Sequence, residues 1–222
     1  MITVHHLNQS RSQRVLWLLE ELGLDYSVTR YERDPRTMLA PPSLRAVHPL
    51  GKSPVVTDGD QAIAESGAIM EYFVERYGNG KLAPAPGTAE RRRYTYWLHY
   101  AEGSAMPPLL LKLIFSRLPG GVPALIRPVA RMISAGALGR LIEPQLKLHF
   151  DYLEAELGKA TWFAGPDFTA ADIQMSFPIE AAAARAGLDA SRPKLWQFLE
   201  RIRARPAYRK ALEKGGVAAP LR

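Results

Sequence analysis

The sequence of 222 residues contains no cysteine. Disulfides, cysteine nucleophiles and thiolate metal ligands are therefore excluded, and we expect the protein in a reducing compartment, the cytoplasm. No run of 18 uncharged apolar residues occurs, so we expect no membrane span. Five histidines are present but show no metal-ligand spacing. The adjacent His5 and His6 would point to opposite faces of a strand, and we expect no metal site.

Acidic residues are absent from residues 103–142, which contain five Lys or Arg. Residues 1–88 hold 9 basic against 10 acidic residues, whereas residues 89–222 hold 20 against 12. This asymmetry indicates two units with different roles. No nucleic-acid motif accompanies the basic excess, so we expect small anions and no nucleic acid as partners. Residues 103–142 fit either a lid over a binding site or a surface that docks on a membrane.

With 47% hydrophobic residues, the chain can bury a real core, and its first part alternates strands with helices. Residues 2–7 alternate like a strand, and an apolar stripe over 15–22 predicts an amphipathic helix that ends at Gly23. Residues 25–31 form a second predicted strand. Prolines in residues 34–50 break any long regular element.

Asp58-Gly59 predicts a hairpin between two short strands, and a helix follows from Ser66 to the residue before Gly78. The order β-α-β-irregular-β-β-α is that of a small α/β unit over residues 1–81. Residues 82–88, rich in Pro, Gly and Ala, predict a linker.

Residues 89–222 show helical patterns. A long helix begins at residue 89, and Pro107 and Pro108 should bend or interrupt it. Residues 143–158 predict a clean amphipathic helix. Thr169 and Asp172 have the spacing of a helix N-terminal capping box, and we assign them a structural role. The last helices are predicted within residues 194–215.

The segment His48-Pro-Leu-Gly-Lys-Ser-Pro54 precedes the hairpin, and its chemistry points to a ligand. Pro54 opens a strand without an N–H to donate, and a Ser53–Pro54 bond can be cis, which would expose the Ser53 backbone to an extended peptide. Glu65 and Ser66 lie where a strand ends and a helix begins, a place that suits an ammonium and a carboxylate. Lys52 suits a second carboxylate. The implied ligand is a short extended peptide with an amino-acid end.

The whole chain resembles the glutathione S-transferase superfamily, in particular a fungal and bacterial branch. The resemblance rests on SRSQRVLWLLEEL, HPLGKSP, the Glu-Ser pair, the Pro-rich linker and FTAADI. It implies a thioredoxin-like glutathione-binding domain over residues 1–81, a linker at 82–88 and an all-α domain with an electrophile site at 89–222. It also implies a cytoplasmic homodimer that acts in detoxification.

The resemblance implies roles for the motif residues. Pro54 would be the cis-proline of the fold, and the Ser53 backbone would pair with the cysteinyl unit of glutathione. Glu65 and Ser66 would hold the γ-glutamyl end, and Lys52 would meet the glycyl carboxylate. Glutathione is then a co-substrate, with no metal required.

A hydroxyl at the end of the first strand faces the glutathione sulfur in enzymes of this kind. Ser10 is the first candidate, with Ser12 and Asn8 as alternatives. Ser10 and Gln13 also form a capping-box pattern, so Ser10 could instead cap the helix, or Ser12 could cap it and leave Ser10 free. Arg11 would reach either glutathione or only solvent. We expect Arg14 to form a structural ion pair on its helix.

The leading hypothesis is a glutathione transferase whose thiolate attacks a hydrophobic electrophile and is also able to reduce organic peroxides. The alternatives are a non-catalytic glutathione-fold interaction module and a binder of anionic surfaces. The electrophile site would lie on the first long helix of the all-α domain. Its candidate residues are Tyr96, Tyr100, Met106 and Leu110.

Overall fold

Four strands form one mixed sheet in the computed structural model, which describes residues 1–216. The strands are β1 (Ile2–Leu7), β2 (Tyr26–Tyr31), β3 (Val55–Asp58) and β4 (Gln61–Ala64). Their spatial order is β2-β1-β3-β4, with β1 parallel to β2 and every other pair antiparallel. The central strand β1 therefore delivers its carboxyl end, with the following turn, beside the start of β3.

Three helices alternate with the strands, and the described chain after them is mainly helical. They are α1 (Ser12–Leu22), α2 (Pro42–Val47), α3 (Ser66–Tyr77), α4 (Ala89–Tyr100), α5 (Met106–Arg117), α6 (Arg127–Ala137), α7 (Glu143–Lys159), α8 (Ala170–Arg185), α9 (Pro193–Ala204) and α10 (Pro206–Gly215). A mixed sheet followed by an all-helical part confirms the predicted fold class. The short α2 is an addition to the predicted irregular stretch, and it begins with a proline in its first turn, where the missing N–H costs nothing.

Helix α1 lies at the centre of the molecule. Its residues 12–19 are all buried, and it packs against β1, α3, α8 and α10. Gly23 ends it with a φ of 67°, as its place after the apolar stripe predicts. Because α1 has the sheet part on one side and the helical part on the other, one continuous hydrophobic core joins the two parts.

The two prolines at 107 and 108 change the helix without breaking it. Residues Ala101–Ala105 widen into a π-helical segment, in which the Met106 N–H donates to the Ala101 carbonyl. Both prolines then fall in the first turn of α5, where a missing N–H is tolerated. The π segment lies next to the candidate site, and it carries Glu102.

No single helix of residues 1–216 is long and apolar enough to cross a membrane. The helical stretches Ala89–Gly120 and Ala124–Lys159 meet the length and composition only when taken together, and a bend of 119° separates them.

The predicted capping box of α8 is present. The Asp172 carboxylate accepts hydrogen bonds from the Thr169 N–H at 2.8 Å, from the Thr169 hydroxyl at 3.1 Å and from the Phe163 N–H at 2.9 Å. These contacts explain both residues without a ligand. The predicted end of the helical domain, at residue 222, lies outside the described residues.

Candidate functional site

Three serine hydroxyls meet where β1 ends and α1 begins. The Ser10 Oγ lies 2.7 Å from the Ser12 Oγ and 3.2 Å from the Ser53 Oγ. Ser53 also donates to the His5 carbonyl at 3.2 Å, which fixes the start of β3 against β1. The structure therefore brings together hydroxyls that the sequence placed in two separate motifs.

Ser10 and Ser12 have different surroundings. Helix α1 begins at Ser12 and its N-cap is Arg11, so neither of the alternatives, Ser10 or Ser12, is the N-cap residue. The Ser10 Oγ nevertheless accepts the Ser12 N–H at 3.2 Å, just after a left-handed turn at Gln9 with a φ of 50°. Ser12 is completely buried and its hydroxyl contacts the His6 Nδ1 at 2.9 Å, whereas Ser10 is half-buried and lines a cavity.

Asn8 joins the ends of β1 and β2. Its Nδ2 donates to the Glu32 carboxylate at 2.5 Å, and its Oδ1 accepts the Arg33 N–H at 3.1 Å. These bonds occupy both ends of the amide, although Asn8 also lines the cavity at Ser10. Asn8 therefore has a structural partner for each of its polar atoms.

The Ser53–Pro54 peptide bond is cis, which confirms the prediction for the HPLGKSP segment. Pro54 is buried at the start of β3, and Lys52 is exposed two residues before it. The side chain of Lys52 is thus free to reach a ligand that lies along Ser53.

Glu65 and Ser66 lie at the N-terminus of α3, beside a cavity of about 460 Å³. Glu65 is exposed and has a φ of 70°, whereas Ser66 is buried and its hydroxyl accepts from Arg14 at 3.0 Å and from Gln174 at 3.1 Å. The Ser66 hydroxyl is therefore held by the protein itself. The first N–H groups of α3 remain suited to a carboxylate.

Carboxylates surround this cavity. Glu65 and Glu71 line it from α3, and Glu102 lines it from the π segment, together with His99 and Gly103. Three carboxylates next to a helix N-terminus form a place for an ammonium and a carboxylate of one amino-acid end. We refer to this as the Glu65 cavity.

Arg11 and Arg14 bind Glu102 across the two parts of the molecule. The Arg14 guanidinium lies 2.6 Å from one Glu102 oxygen, and the Arg11 Nε lies 2.9 Å from both. Arg14 is only 2% exposed and also donates to the Gln174 carbonyl at 2.6 Å. Arg14 therefore forms the expected ion pair with a partner on another element instead of its own helix, and Arg11 has a protein partner that neither predicted alternative included.

Charged residues of both signs lie around Ser10 and Glu102. Burial tends to raise the pKa of Glu102, but Arg14 and Arg11 outweigh it and hold this pKa below its ordinary value. Burial, with Arg11 nearby, lowers the pKa of Arg33, and burial, with Arg117 and Arg11 nearby, lowers the pKa of Arg185. The cavity at Ser10 is lined by Arg14 and Arg30 and also by Glu32 and Glu180, so both signs of charge are present there.

The predicted electrophile residues do not meet at Ser10. Tyr96 accepts a hydrogen bond from Tyr152 at 3.1 Å, and the buried Tyr100 contacts the His149 Nδ1 at 2.5 Å, so both face α7. Met106 is buried, Leu110 is exposed on α5, and neither lines the cavity at Ser10 or the Glu65 cavity. Tyr96 and Tyr100 do share one side of α4, but the residues that meet α3 across the Glu65 cavity are His99 of α4 and Glu102 of the π segment.

A cavity of about 300 Å³ opens beside Ser10, and the helical part lines it with Phe177, Glu180 and Tyr208. We call this the Ser10 cavity. Phe177 and Tyr208 carry no local sequence signal, because their spacing is that of ordinary core residues. Glu102 could have been found, since it is the only acidic residue between Glu90 and Glu143.

Among the described residues, no group of three or more His, Cys, Asp or Glu side chains could hold a metal ion. His6 is buried against Ser12, and His5 contacts the Tyr31 hydroxyl at 3.0 Å, so each of these two neighbours has a partner of its own.

Comparison with known proteins finds two family domains that match this chain. Residues 10–76 match the glutathione S-transferase N-terminal domain, and residues 142–206 match the glutathione S-transferase C-terminal domain. Glutathione S-transferase 3 of Schizosaccharomyces pombe is 36% identical, with 96% of this chain and 88% of that protein covered. Glutathione S-transferase 1 of Saccharomyces cerevisiae is 32% identical, with 96% and 95% covered.

A solved structure gives the same result. The crystal structure of a glutathione S-transferase from Actinobacillus pleuropneumoniae is 36% identical to this chain and superposes with a TM-score of 0.79. The superposition covers 97% of this chain and 93% of the chain in that structure.

Proposed function

Because the chain belongs to the glutathione S-transferase family, we propose that it binds glutathione, stabilises the thiolate with the Ser10 hydroxyl and adds the sulfur to an electrophile. The observation that carries this proposal is the approach of the Ser10 Oγ to within 3.2 Å of the Ser53 Oγ, beside the cis Ser53–Pro54 bond. A peptide that pairs with the Ser53 backbone has its next side chain within reach of Ser10.

Glutathione lies along residues of the first 81 positions in this proposal. The Ser53 backbone pairs with the cysteinyl unit, and the exposed Lys52 meets the glycyl carboxylate. The γ-glutamyl end enters the Glu65 cavity, where Glu65 binds the ammonium and the N-terminus of α3, from Ser66, binds the carboxylate. Arg11 and Arg14 act here through Glu102, which they hold in place at that cavity.

A thiol with a pKa of about 8.5 is only a few per cent ionised at neutral pH. Lowering that pKa by about two units requires roughly 2.7 kcal/mol of preference for the anion. A charge-assisted hydrogen bond supplies about 1.5–3 kcal/mol. The Ser10 hydroxyl and the start of α1 are therefore sufficient together.

The electrophile site belongs to residues 89–222, and we place it in the Ser10 cavity, where Phe177 and Tyr208 offer apolar surface beside the sulfur. In the same place, attack of the thiolate on an organic peroxide would break the O–O bond and yield an alcohol and glutathione sulfenic acid, and a second glutathione would then form the disulfide and release water. Both reactions fit a cytoplasmic detoxification enzyme.

We also propose a homodimer, as the family resemblance implies. The aromatic surface of Tyr96 and Tyr152, shared by α4 and α7, supports it, because exposed aromatic side chains are typical of protein interfaces.

Isothermal titration with reduced glutathione tests the proposal. We expect saturable binding, weakened at least tenfold by Glu65→Ala, because the ammonium loses a charged partner. Glu75→Ala, on the same helix but outside the Glu65 cavity, should bind as the wild type does. Absence of binding at millimolar glutathione would contradict the proposal.

Two alternative functions predict different results in binding and activity measurements. Binding of glutathione without turnover of any electrophile would favour a non-catalytic interaction module. Salt-dependent binding to DNA or another polyanion at physiological ionic strength, without glutathione binding, would favour an anionic-surface binder driven by the basic helical part.

A further inference from the structure

We propose that His6 is the acceptor of the glutathione thiol proton, which reaches it through the hydroxyls of Ser10 and Ser12. The inference rests on the proposed function, because it requires the thiol to lie at Ser10. It assigns a role to a buried histidine and a buried serine that substrate binding does not use.

A continuous chain of hydrogen bonds supports this route. The Ser10 Oγ lies 2.7 Å from the Ser12 Oγ, which lies 2.9 Å from the His6 Nδ1. Ser12 and His6 are both buried, whereas Ser10 reaches the cavity. A proton that enters at Ser10 therefore travels within the protein and does not have to pass through bulk water.

The environment of His6 fixes which nitrogen is available. The His6 Nδ1 faces the Ser12 hydroxyl at 2.9 Å, and in the tautomer that carries its proton on Nε2 it accepts from that hydroxyl. Nδ1 is then the acceptor at the end of the chain. Burial is the largest influence and lowers the pKa of His6 below its ordinary value; the Gly215 backbone and Glu32 act against it, and Arg30 acts with it.

The transfer balances as a shift of three protons along the chain. The S–H bond breaks and leaves its electron pair on sulfur, as that proton moves to the Ser10 oxygen. The Ser10 proton moves to Ser12, and the Ser12 proton moves to the His6 Nδ1. Every hydrogen bond is then reversed, so that Ser10 donates to the thiolate and Ser12 donates to Ser10. The same step thus ionises the thiol and creates its stabilising donor.

His6→Gln and Ser12→Ala test the proposal, with His5→Gln as the matched control. His5 is the neighbouring histidine of β1, but it contacts Tyr31 and Thr57 instead of Ser12. The pH midpoint of thiolate formation in the glutathione complex, read from ultraviolet absorbance, should rise by about one unit in both test variants, a tenfold change in thiolate fraction. It should stay unchanged in His5→Gln.

Calorimetry in two buffers of different ionisation enthalpy gives an independent readout. In the wild type, fewer protons should reach the buffer than thiolates form, because His6 retains them. A wild-type midpoint in both His6→Gln and Ser12→Ala, or release of one proton to the buffer for each thiolate formed, would overturn the proposal. If wild-type protein does not bind glutathione at all, the proposed function fails instead.

A separate observation supports a second proposal, that a surface on α6 docks on anionic membranes. Leu125, Ile126, Val129, Met132 and Ile133 are all exposed, Leu125 by 91% and Met132 by 69%. Their spacing of one, three and four residues places them on one side of α6 and its preceding turn. We call these five residues the apolar crest. Small residues, Ala130 and Ser134, occupy the buried side instead.

The charge of the segment that carries the apolar crest indicates which kind of surface it binds. Residues 103–142, which include the apolar crest, contain Arg127, Arg131 and Arg140 and no acidic side chain. Two copies of this surface in a symmetric contact would bring like charges together. An exposed apolar face in a segment whose only charges are basic instead matches an anionic lipid interface, into which the apolar side chains enter while basic side chains of the segment meet head groups.

Vesicle flotation tests this surface. The full chain should float with phosphatidylcholine vesicles that contain phosphatidylserine, and much less with phosphatidylcholine alone or at high salt. Met132→Glu should weaken binding at least tenfold. Leu148→Glu, on α7 and similarly exposed at 63%, should bind as the wild type does.

Three results would overturn the membrane proposal. These are absence of flotation of the wild type, equal flotation of Met132→Glu, and loss of an oligomer in Met132→Glu when the wild type does not bind vesicles. The last result would identify the apolar crest as a contact between copies of the chain.

Discussion

Ser10 and Ser12 are two positions apart, yet only Ser10 can touch a ligand. Ser10 is half-buried at a cavity, and Ser12 is completely buried between Ser10 and His6. Ser10→Ala removes the donor nearest to the proposed thiolate. We expect the thiol pKa in the glutathione complex to rise by about 1–2 units, equivalent to about 1.5–3 kcal/mol.

The rate at neutral pH should fall roughly tenfold to a hundredfold, with glutathione affinity almost unchanged, because Ser10 does not hold the peptide backbone. Stopped-flow and titration measurements on the variant check both values. An unchanged thiol pKa would remove Ser10 from this role.

The ionisation of Glu102 makes the free energy of unfolding depend on pH in the acid range. Its pKa in the folded protein lies below the ordinary value of 4.5, because Arg14 and Arg11 overcome the effect of burial. Its ionised form therefore stabilises the fold above about pH 4.5, and this contribution is lost as pH falls through the lowered pKa. The wild type should lose stability on acidification more steeply than Glu102→Gln.

At neutral pH, Glu102→Gln should reduce the free energy of unfolding by about 2 kcal/mol, because the buried Arg14 loses its charge partner. Urea unfolding at several pH values measures both effects. Glu143→Gln removes an exposed partner of Lys112 and should change the free energy by less than about 0.5 kcal/mol. Parallel pH curves for the wild type and Glu102→Gln would refute the assignment.

Helix α8 depends on its capping box more than on its local propensity, since Pro178 lies inside it. Asp172→Ala removes the acceptor of three hydrogen bonds and leaves the buried Phe163 N–H without its partner. We expect a loss of about 2–4 kcal/mol in the free energy of unfolding, the sum of a lost cap and an unsatisfied N–H.

Thermal and urea unfolding of Asp172→Ala measure this loss. Asp189→Ala removes an exposed side chain that accepts from the Ser191 N–H, so its effect should stay below about 1 kcal/mol. Equal destabilisation by the two variants would show that the capping box stabilises the protein no more than an exposed side-chain hydrogen bond does.

The proposed homodimer gives a prediction for the whole molecule. Sedimentation velocity should report about twice the chain mass of 24.7 kDa for the wild type. Tyr96→Asp introduces a charge into the aromatic surface of α4 and α7, and it should shift the sample towards the single-chain mass. Leu39→Asp, at an exposed position of the first part, should sediment as the wild type does. A monomeric wild type at micromolar concentration would contradict the proposed homodimer.

The features that could be predicted from the sequence depend on chemistry between near neighbours. Pro54 lacks an N–H whatever the fold, Asp58-Gly59 turns the chain locally, and Thr169 and Asp172 are three residues apart. For this reason the cis bond, the hairpin, the capping box and the order of the strands agree with the structure.

Tertiary packing decided the rest, because the relevant partners are far apart in sequence. Arg14 meets Glu102 across 88 positions and the Gln174 carbonyl across 160, and no local pattern encodes these distances. Likewise, the spacing of α4 shows that Tyr96 and Tyr100 share a face, but only packing against α7 shows where that face points. That Ser10 reaches the cavity and Ser12 does not follows from burial, which depends on how α1 fits between the sheet and the helical part.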